Sequence, residues 1–295
     1  MKSAIQKIRN IWAAVDIRKK IIFTALILLI YRFGCAIPVP YVNSDIVTSF
    51  EATFGSTIFA YMNVLSGGAL GQATFFALGI SPYITAQIVM QLLTVASTRL
   101  QEMSKDEDGK KKLASATRVL TVILAVVTSI AYYFILNNQG WLVKTDKAFL
   151  QAIVIICTFT AGAAIIMWLG EKINVYGIGN GISMILFANI LSQGPAIAGS
   201  IANLFTSEVL GWGITFGVLT VIVYLLTVYF VVYITNSERR IPVQYAKRVV
   251  GRKMYGGQNS NLPIKLNMSG VMPIIFASSI VSLPATIITL IGKSG

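Results

Sequence analysis

"YMNVLSGGALGQATFFALGISPYITAQIVMQLL", residues 61–93, begins like an apolar helix and then breaks. Ser66, Gly67, Gly68 and Gly71 interrupt it early, and Gly79–Pro82 interrupts it again before the apolar run resumes. Inside a bilayer, irregular backbone is tolerated only where it is packed in protein or lines a cavity. Tyr61–Leu70 carries no charge and is too short to span. It therefore reads as a re-entrant half helix that enters from the outer side and turns back at the glycines, the alternative being a loop that rests at the outer interface. In the helix that follows, Ile80 and Ile84 stand four residues apart on one face. Pro82 between them is expected to kink or loosen that turn. A ring of such side chains makes a dry constriction that water and ions do not wet; ordinary helix packing is the other explanation of an isoleucine pair.

The rest of the chain is written for lipid. Of its 295 residues 55% are hydrophobic and only 12% charged, against about 25% charged in a soluble domain, and the mean hydropathy is +0.73. Runs near the roughly 20 residues that cross a bilayer are expected at Ile21–Ile37, Thr74–Ser97, Ala116–Leu136, Ala148–Leu169, Gly181–Ile201, Leu210–Ile234 and Met272–Ile291. The fold class is thus all-α and polytopic. The runs do not alternate apolar with polar residues, which argues against a β-barrel. The first 20 residues hold six Lys or Arg, too polar for the apolar core of a cleavable signal peptide.

Positive charge alternates loop by loop. Lys2, Lys7, Arg9, Arg18, Lys19 and Lys20 precede the first run, whereas Phe33–Gln72 has no Lys or Arg. Thr98–Ser115 carries Arg99, Lys105, Lys110, Lys111 and Lys112; the connection after the third run has only Lys144 and Lys147. Residues 236–270 carry Arg239, Arg240, Lys247, Arg248, Arg252, Lys253 and Lys265. The positive-inside rule then puts the N-terminus in the cytoplasm and Gly295 outside. Much of the net charge of +13 is this cytoplasmic coat, which also attracts anionic lipid. Residues 1–20 read as an amphipathic helix on the cytoplasmic surface.

Several chemistries have no residues to run on. There is no histidine, which removes Ser-His hydrolysis and the HExxH zinc proteases. There is no G-x-x-x-x-G-K-[ST] loop for nucleotide hydrolysis, so "LSGGA" (65–69) is a chance match to an ATPase signature. "GIGNG" (177–181) reads as a turn before the fifth run. Cys35 and Cys157 have neither metal nor disulfide spacing. None of the eleven acidic residues falls mid-span, which weighs against an ion-coupled transporter. Arg32 is the one charge well inside a run and is expected to snorkel to the outer headgroups. No enzymatic activity, metal or cofactor is expected.

The opening stretch resembles the plug and second helix of the SecY family, the channel subunits of the bacterial Sec protein translocase. "YRFGCAIPVP" (31–40), "MWLGEKINVYGIGNGIS" (167–183), "RRIPVQYAKR" (239–248), "LPIKLNMSGVMPIIFASSI" (262–280) and "LPATI" (283–287) follow in the family's order. The resemblance covers essentially the whole chain. It implies a plug at about 58–72, with Asn63, Ser66, Gly67, Gly68 and Leu70. It implies a pore ring of Ile80, Ile84, Leu186 and Ile275, with Leu186 standing where isoleucine is common. A lateral gate would include Gln91, Thr128 and Asn267. The basic loop would dock the ribosome and the SecA motor through Arg239, Arg240, Lys247, Arg248, Arg252 and Lys253, ribosomal RNA being a polyanion; its alternating apolar residues suggest a strand-like finger. SecE and SecG subunits, and possible association with YidC and SecDF, are implied as well, together with unfolded polypeptide as substrate and membrane lipid as the medium into which apolar segments leave.

The family is built from two inverted halves of five spans each, a repeat plan that transporters also use. Residues 21–201 correspond to the first half and 202–295 to the start of the second, with the docking loop at 236–270. The last three spans are not in this sequence, so the chain is expected to be a fragment or to have the remainder supplied separately. The expected role is a protein-conducting channel in the cytoplasmic membrane, powered by its partners. The rival readings are a secondary transporter with its substrate site at the broken helix, and an inactive truncated channel.

Overall fold

The computed structural model describes residues 13–55, 58–206, 213–243, 248–250, 253–255, 260–267, 277 and 281. These fall into two compact units, Met1–Gly194 with Phe276–Gly295, and Pro195–Ile275.

In the first unit, α1 (Val15–Gly34) is followed by α2 (Ile46–Phe54), α3 (Ile58–Leu65), α4 (Ser81–Ala96), α5 (Thr98–Lys105), α6 (Glu107–Asn138), α7 (Ala148–Tyr176) and α8 (Gly181–Ser192). α1 takes in Arg18, Lys19 and Lys20, which therefore extend the first apolar helix, and it stops ahead of Pro38, whose ring disfavours helix in the residue before it. The expected loop Thr98–Ser115 is mostly helical. It breaks only at the extended residue Asp106, after which Glu107 and Asp108 place negative charge in the first turn of α6.

The expected span Thr74–Ser97 is corrected by the structure: its helix starts at Ser81. The backbone of Gly79 has φ +57°, a left-handed conformation that ends any helical run there. Pro82 then lies in the first turn of α4, where its missing N–H costs nothing, so it starts the helix instead of kinking it. The expected span Gly181–Ile201 divides into α8 and α9 (Gly194–Thr206), with Gln193 capping the first. Among the described residues, four helical stretches are long and apolar enough to cross a membrane, within Glu107–Asn138, Ala148–Tyr176, Gly181–Ser200, which runs through the turn at Gln193, and Gly217–Asn236. Met272–Ile291 lies largely outside the described residues.

α6 and α7 form the central pair. Lipid tails give little hydrophobic drive for helices to associate, so close packing through small residues decides. Ala125, Ser129, Gly162 and Ala163 are buried, the Ser129 and Thr160 hydroxyls meet at 3.1 Å, and the Tyr132 and Phe159 rings pack at 5.2 Å. α4 lies along α6, while α1 packs on α7 and α8. The core contains Leu70, Ala73, Ala77 and Leu78 together with Phe50 and Trp141, so the broken segment is packed as interior. The chain at 37–39 fastens it: Phe75 N–H donates to the Ile37 carbonyl (2.8 Å) and Val39 N–H to that of Ala73 (3.2 Å).

In the second unit, α9 is followed by α10 (Gly213–Asn236), β1 (Glu238–Val243), β2 (Arg248–Val250), β3 (Lys253–Tyr255) and β4 (Ser260–Lys265). β1 pairs antiparallel with β4, Glu238 opposite Lys265 and Val243 opposite Ser260. β2 pairs antiparallel with β3, Val250 opposite Lys253. The strand-like character expected of the basic loop is thus two short antiparallel ladders.

Candidate functional site

The site is the turn segment between α3 and α4. Its shape is set locally by Asn63 and Ser66. The Asn63 side-chain oxygen accepts from Gly71 N–H (2.7 Å), and its backbone carbonyl accepts from Gly68 N–H (2.8 Å). Ser66 Oγ donates to the same carbonyl (3.0 Å) and accepts from Leu70 N–H (3.1 Å). Gly67 and Gly68 have φ of +69° and +86°, where a side chain would be strained.

Three helices then grip this segment by its carbonyls. From α1, Arg32 Nη1 donates to the Gly67 carbonyl (3.2 Å). From α8, Asn189 Nδ2 donates to that of Leu65 (2.7 Å). From α6, the Tyr132 hydroxyl donates to that of Leu70. The carbonyls of Leu65 and Gly67 lie where the helix has ended, whereas that of Leu70 also accepts from Ala73 N–H (3.1 Å); an unmade buried hydrogen bond costs about 1–3 kcal/mol. Arg32, expected to snorkel to headgroups, remains exposed at the edge of an open cleft and also donates to this backbone. Sequence reasoning did not single out Asn189 or Tyr132. The signal available was an amide inside the apolar run "MILFANIL" (184–191), since polar groups at membrane depth carry a role by default.

Gly67 lies between two of the gripping side chains. A Cβ there would come within 2.9 Å of Asn189 Oδ1 and 3.2 Å of Arg32 Nη1. Gly162 on α7 has a comparable job, since its Cβ would stand 2.1 Å from the Phe75 carbonyl oxygen. An open polar cleft of roughly 320 Å³ adjoins the segment, lined by residues including Arg32, Glu51, Asn63, Gln72 and Gln193.

Ile80 and Ile84 are both buried, at 3% and 8% exposure. Ile80 caps α4, and its carbonyl accepts from Ile84 N–H at 3.1 Å. Leu186 is half-buried on α8. Ile275 lies outside the described residues. Among the residues expected at a lateral gate, Gln91 is exposed on α4, and the half-buried Thr128 turns its hydroxyl back to the Leu124 carbonyl of its own helix at 2.8 Å. Asn267 belongs to the other unit and is half-buried. Arg239 and Arg240 are exposed neighbours on β1, Arg248 opens β2 and Lys253 opens β3; Lys247 and Arg252 lie outside the described residues.

A second cluster lies at the far ends of α6 and α7. Arg118 Nε meets Glu171 Oε1 at 2.8 Å, and the Lys172 amine stands 5.5 Å from the ring centres of both Trp168 and Tyr176.

Apolar helices with a non-helical, uncharged segment packed back among them define the class, a polytopic α-helical membrane protein. The comparisons narrow it. Residues 74–294 match the family described as SecY. A protein translocase subunit SecY from Streptomyces scabiei is 40% identical over 290 residues, covering 95% of this chain and 66% of the relative. Two solved structures share the fold: "The structure of a protein conducting channel", with TM-score 0.64 and 22% identity, and "Sec61 in the Canine ribosome-channel complex from the endoplasmic reticulum", with TM-score 0.63 and 21% identity. Each covers 94% of this chain and is itself matched over 60% of its length. The chain belongs to the SecY family, and it spans just under two thirds of the length of the Streptomyces relative.

Proposed function

We propose that this chain supplies the first half, and the start of the second, of a protein-conducting channel that passes unfolded polypeptide across the cytoplasmic membrane and releases apolar segments sideways into lipid. The observation that carries the reading is the uncharged, non-helical Ser66–Ile80 segment, held with the preceding Leu65 by carbonyls gripped from α1, α6 and α8. In this reading residues 58–72 are a plug that closes the pore from the outer side. Ile80, Ile84, Leu186 and Ile275 form the ring against which it seats. Apolar side chains seal by dewetting, so the closed pore blocks ions without a charged gate, and they leave a passing polypeptide no fixed polar partner to hold it.

Gln91, Thr128 and Asn267 line the lateral exit in this account. The chain has no nucleotide-hydrolysing loop, so the driving energy comes from partners. In this account Arg239, Arg240, Lys247, Arg248, Arg252 and Lys253 of the basic loop dock the ribosome or the SecA motor. One structural neighbour is a channel in complex with a ribosome, which supports the first of these. SecE and SecG complete the assembly in the inner membrane, with the N-terminus in the cytoplasm. The test is preprotein translocation into inverted membrane vesicles whose only channel subunit is the full-length protein containing this chain. Protease-protected preprotein is the expected result. Uptake of small solutes with saturation kinetics, and no protected preprotein, would favour a transporter instead.

A further inference from the structure

We infer that Asn189 and Arg32 form a two-point latch that sets how readily the plug leaves its seat. The inference rests on the channel reading above and adds to it the regulation of that site. The two side chains come from adjacent helices, α8 and α1, and grip carbonyls two residues apart, those of Leu65 and Gly67. Gly67 fits between them because it has no Cβ. Each bond joins a helix wall to the segment that must move, so either outward movement of the plug or separation of α1 from α8 breaks the latch.

The two halves of the latch differ in strength for a physical reason. Arg32 borders the polar cleft, where Glu51, Asn63, Gln72 and Gln193 offer other partners. When it lets go of Gly67 its guanidinium is still solvated, so breaking that bond costs little. Asn189 is fully buried. Its side chain lies beside the buried Tyr31 hydroxyl of α1. The bond from Nδ2 to the Leu65 carbonyl ties the amide to the segment in dry surroundings, and losing it strands both the carbonyl and the amide. Burial of this kind makes an unmade bond expensive. Asn189 therefore carries most of the hold and Arg32 trims it.

The experiment uses the full-length channel with its partner subunits in planar bilayers, comparing wild type with Asn189→Leu, Arg32→Gln and the exposed-site control Cys157→Ala. Leucine has the branched outline of asparagine and no donor. The readouts are resting open probability and the concentration of a synthetic signal peptide that gives half-maximal opening, with the melting temperature measured on the same samples. Removing one such bond is expected to raise resting opening and lower the half-maximal concentration about five- to ten-fold for Asn189→Leu, and by a smaller factor for Arg32→Gln, with Cys157→Ala at the wild-type level. Arg32→Gln alters a residue at the cleft edge and keeps the test decisive if Asn189→Leu does not fold. Wild-type opening in the folded variants, while signal peptide still opens the pore, would overturn the latch and leave the channel reading standing. A wild-type protein that never conducts, with or without signal peptide, would overturn both.

Discussion

Asn189 Nδ2 donates to the Leu65 carbonyl at 2.7 Å across 124 residues of sequence. That bond joins the fully buried face of α8 to the last residue of the half helix α3, where the backbone has run out of helical partners. It identifies the broken segment as part of the interior. A loop resting on the outer surface would have water for those carbonyls.

The close approach at Gly162 makes a stability prediction. Gly162→Ala puts a methyl group 2.1 Å from a backbone oxygen, so α7 or the Phe75 turn must shift. Overpacking of this kind costs roughly 1–3 kcal/mol. Gly170→Ala on the same helix meets only Ile185 Cδ1 at 3.6 Å, and it gains helix propensity of up to about 1 kcal/mol. Thermal unfolding in detergent should fall for the first and hold or rise for the second.

Orientation follows from the alternation of charge. Ser44, in the connection without Lys or Arg, should be outside, and Val250, between basic residues of the ladders, should be cytoplasmic. With Cys35 and Cys157 replaced, an impermeant thiol reagent added to intact cells should label Ser44→Cys and spare Val250→Cys. Labelling of Val250→Cys from outside would reverse the topology.

Docking through the basic loop predicts a salt signature. Arg252→Glu with Lys253→Glu should weaken ribosome binding and lower the slope of log affinity against log salt by about two, one for each phosphate that is no longer neutralised. Membrane insertion of the channel should be unchanged. Equal affinity and slope would leave the loop charges with a role in orientation alone.

How far the sequence can be read depends on the range of the interactions involved. α6 and α7 are legible because long apolar runs have one outcome in lipid. The break after Leu65 is legible because Ser66, Gly67 and Gly68 carry their conformational preference with them. Pro82 is misread from sequence, since a proline starts a helix or kinks it according to whether the preceding turn is helical, and here that depends on the left-handed Gly79. Thr98–Ser115 is misread because dense charge suggests a loop, whereas Glu107 and Asp108 support a helix N-terminus. The grips of Arg32, Tyr132 and Asn189 on the broken segment span 35, 62 and 124 residues of sequence, and such pairings exist only once the helices have packed.

The central claim is that an apolar constriction at Ile80 and Ile84 seals a pore. Its most direct test is resting ion conductance of the full-length channel in planar bilayers with Ile80→Ser and Ile84→Ser combined. Two hydroxyls in the constriction remove the dewetting barrier, so conductance without any substrate should rise well above that of wild type. Resting conductance at the wild-type level, from a variant that folds and still opens with signal peptide, would make the two isoleucines ordinary helix packing and contradict the account.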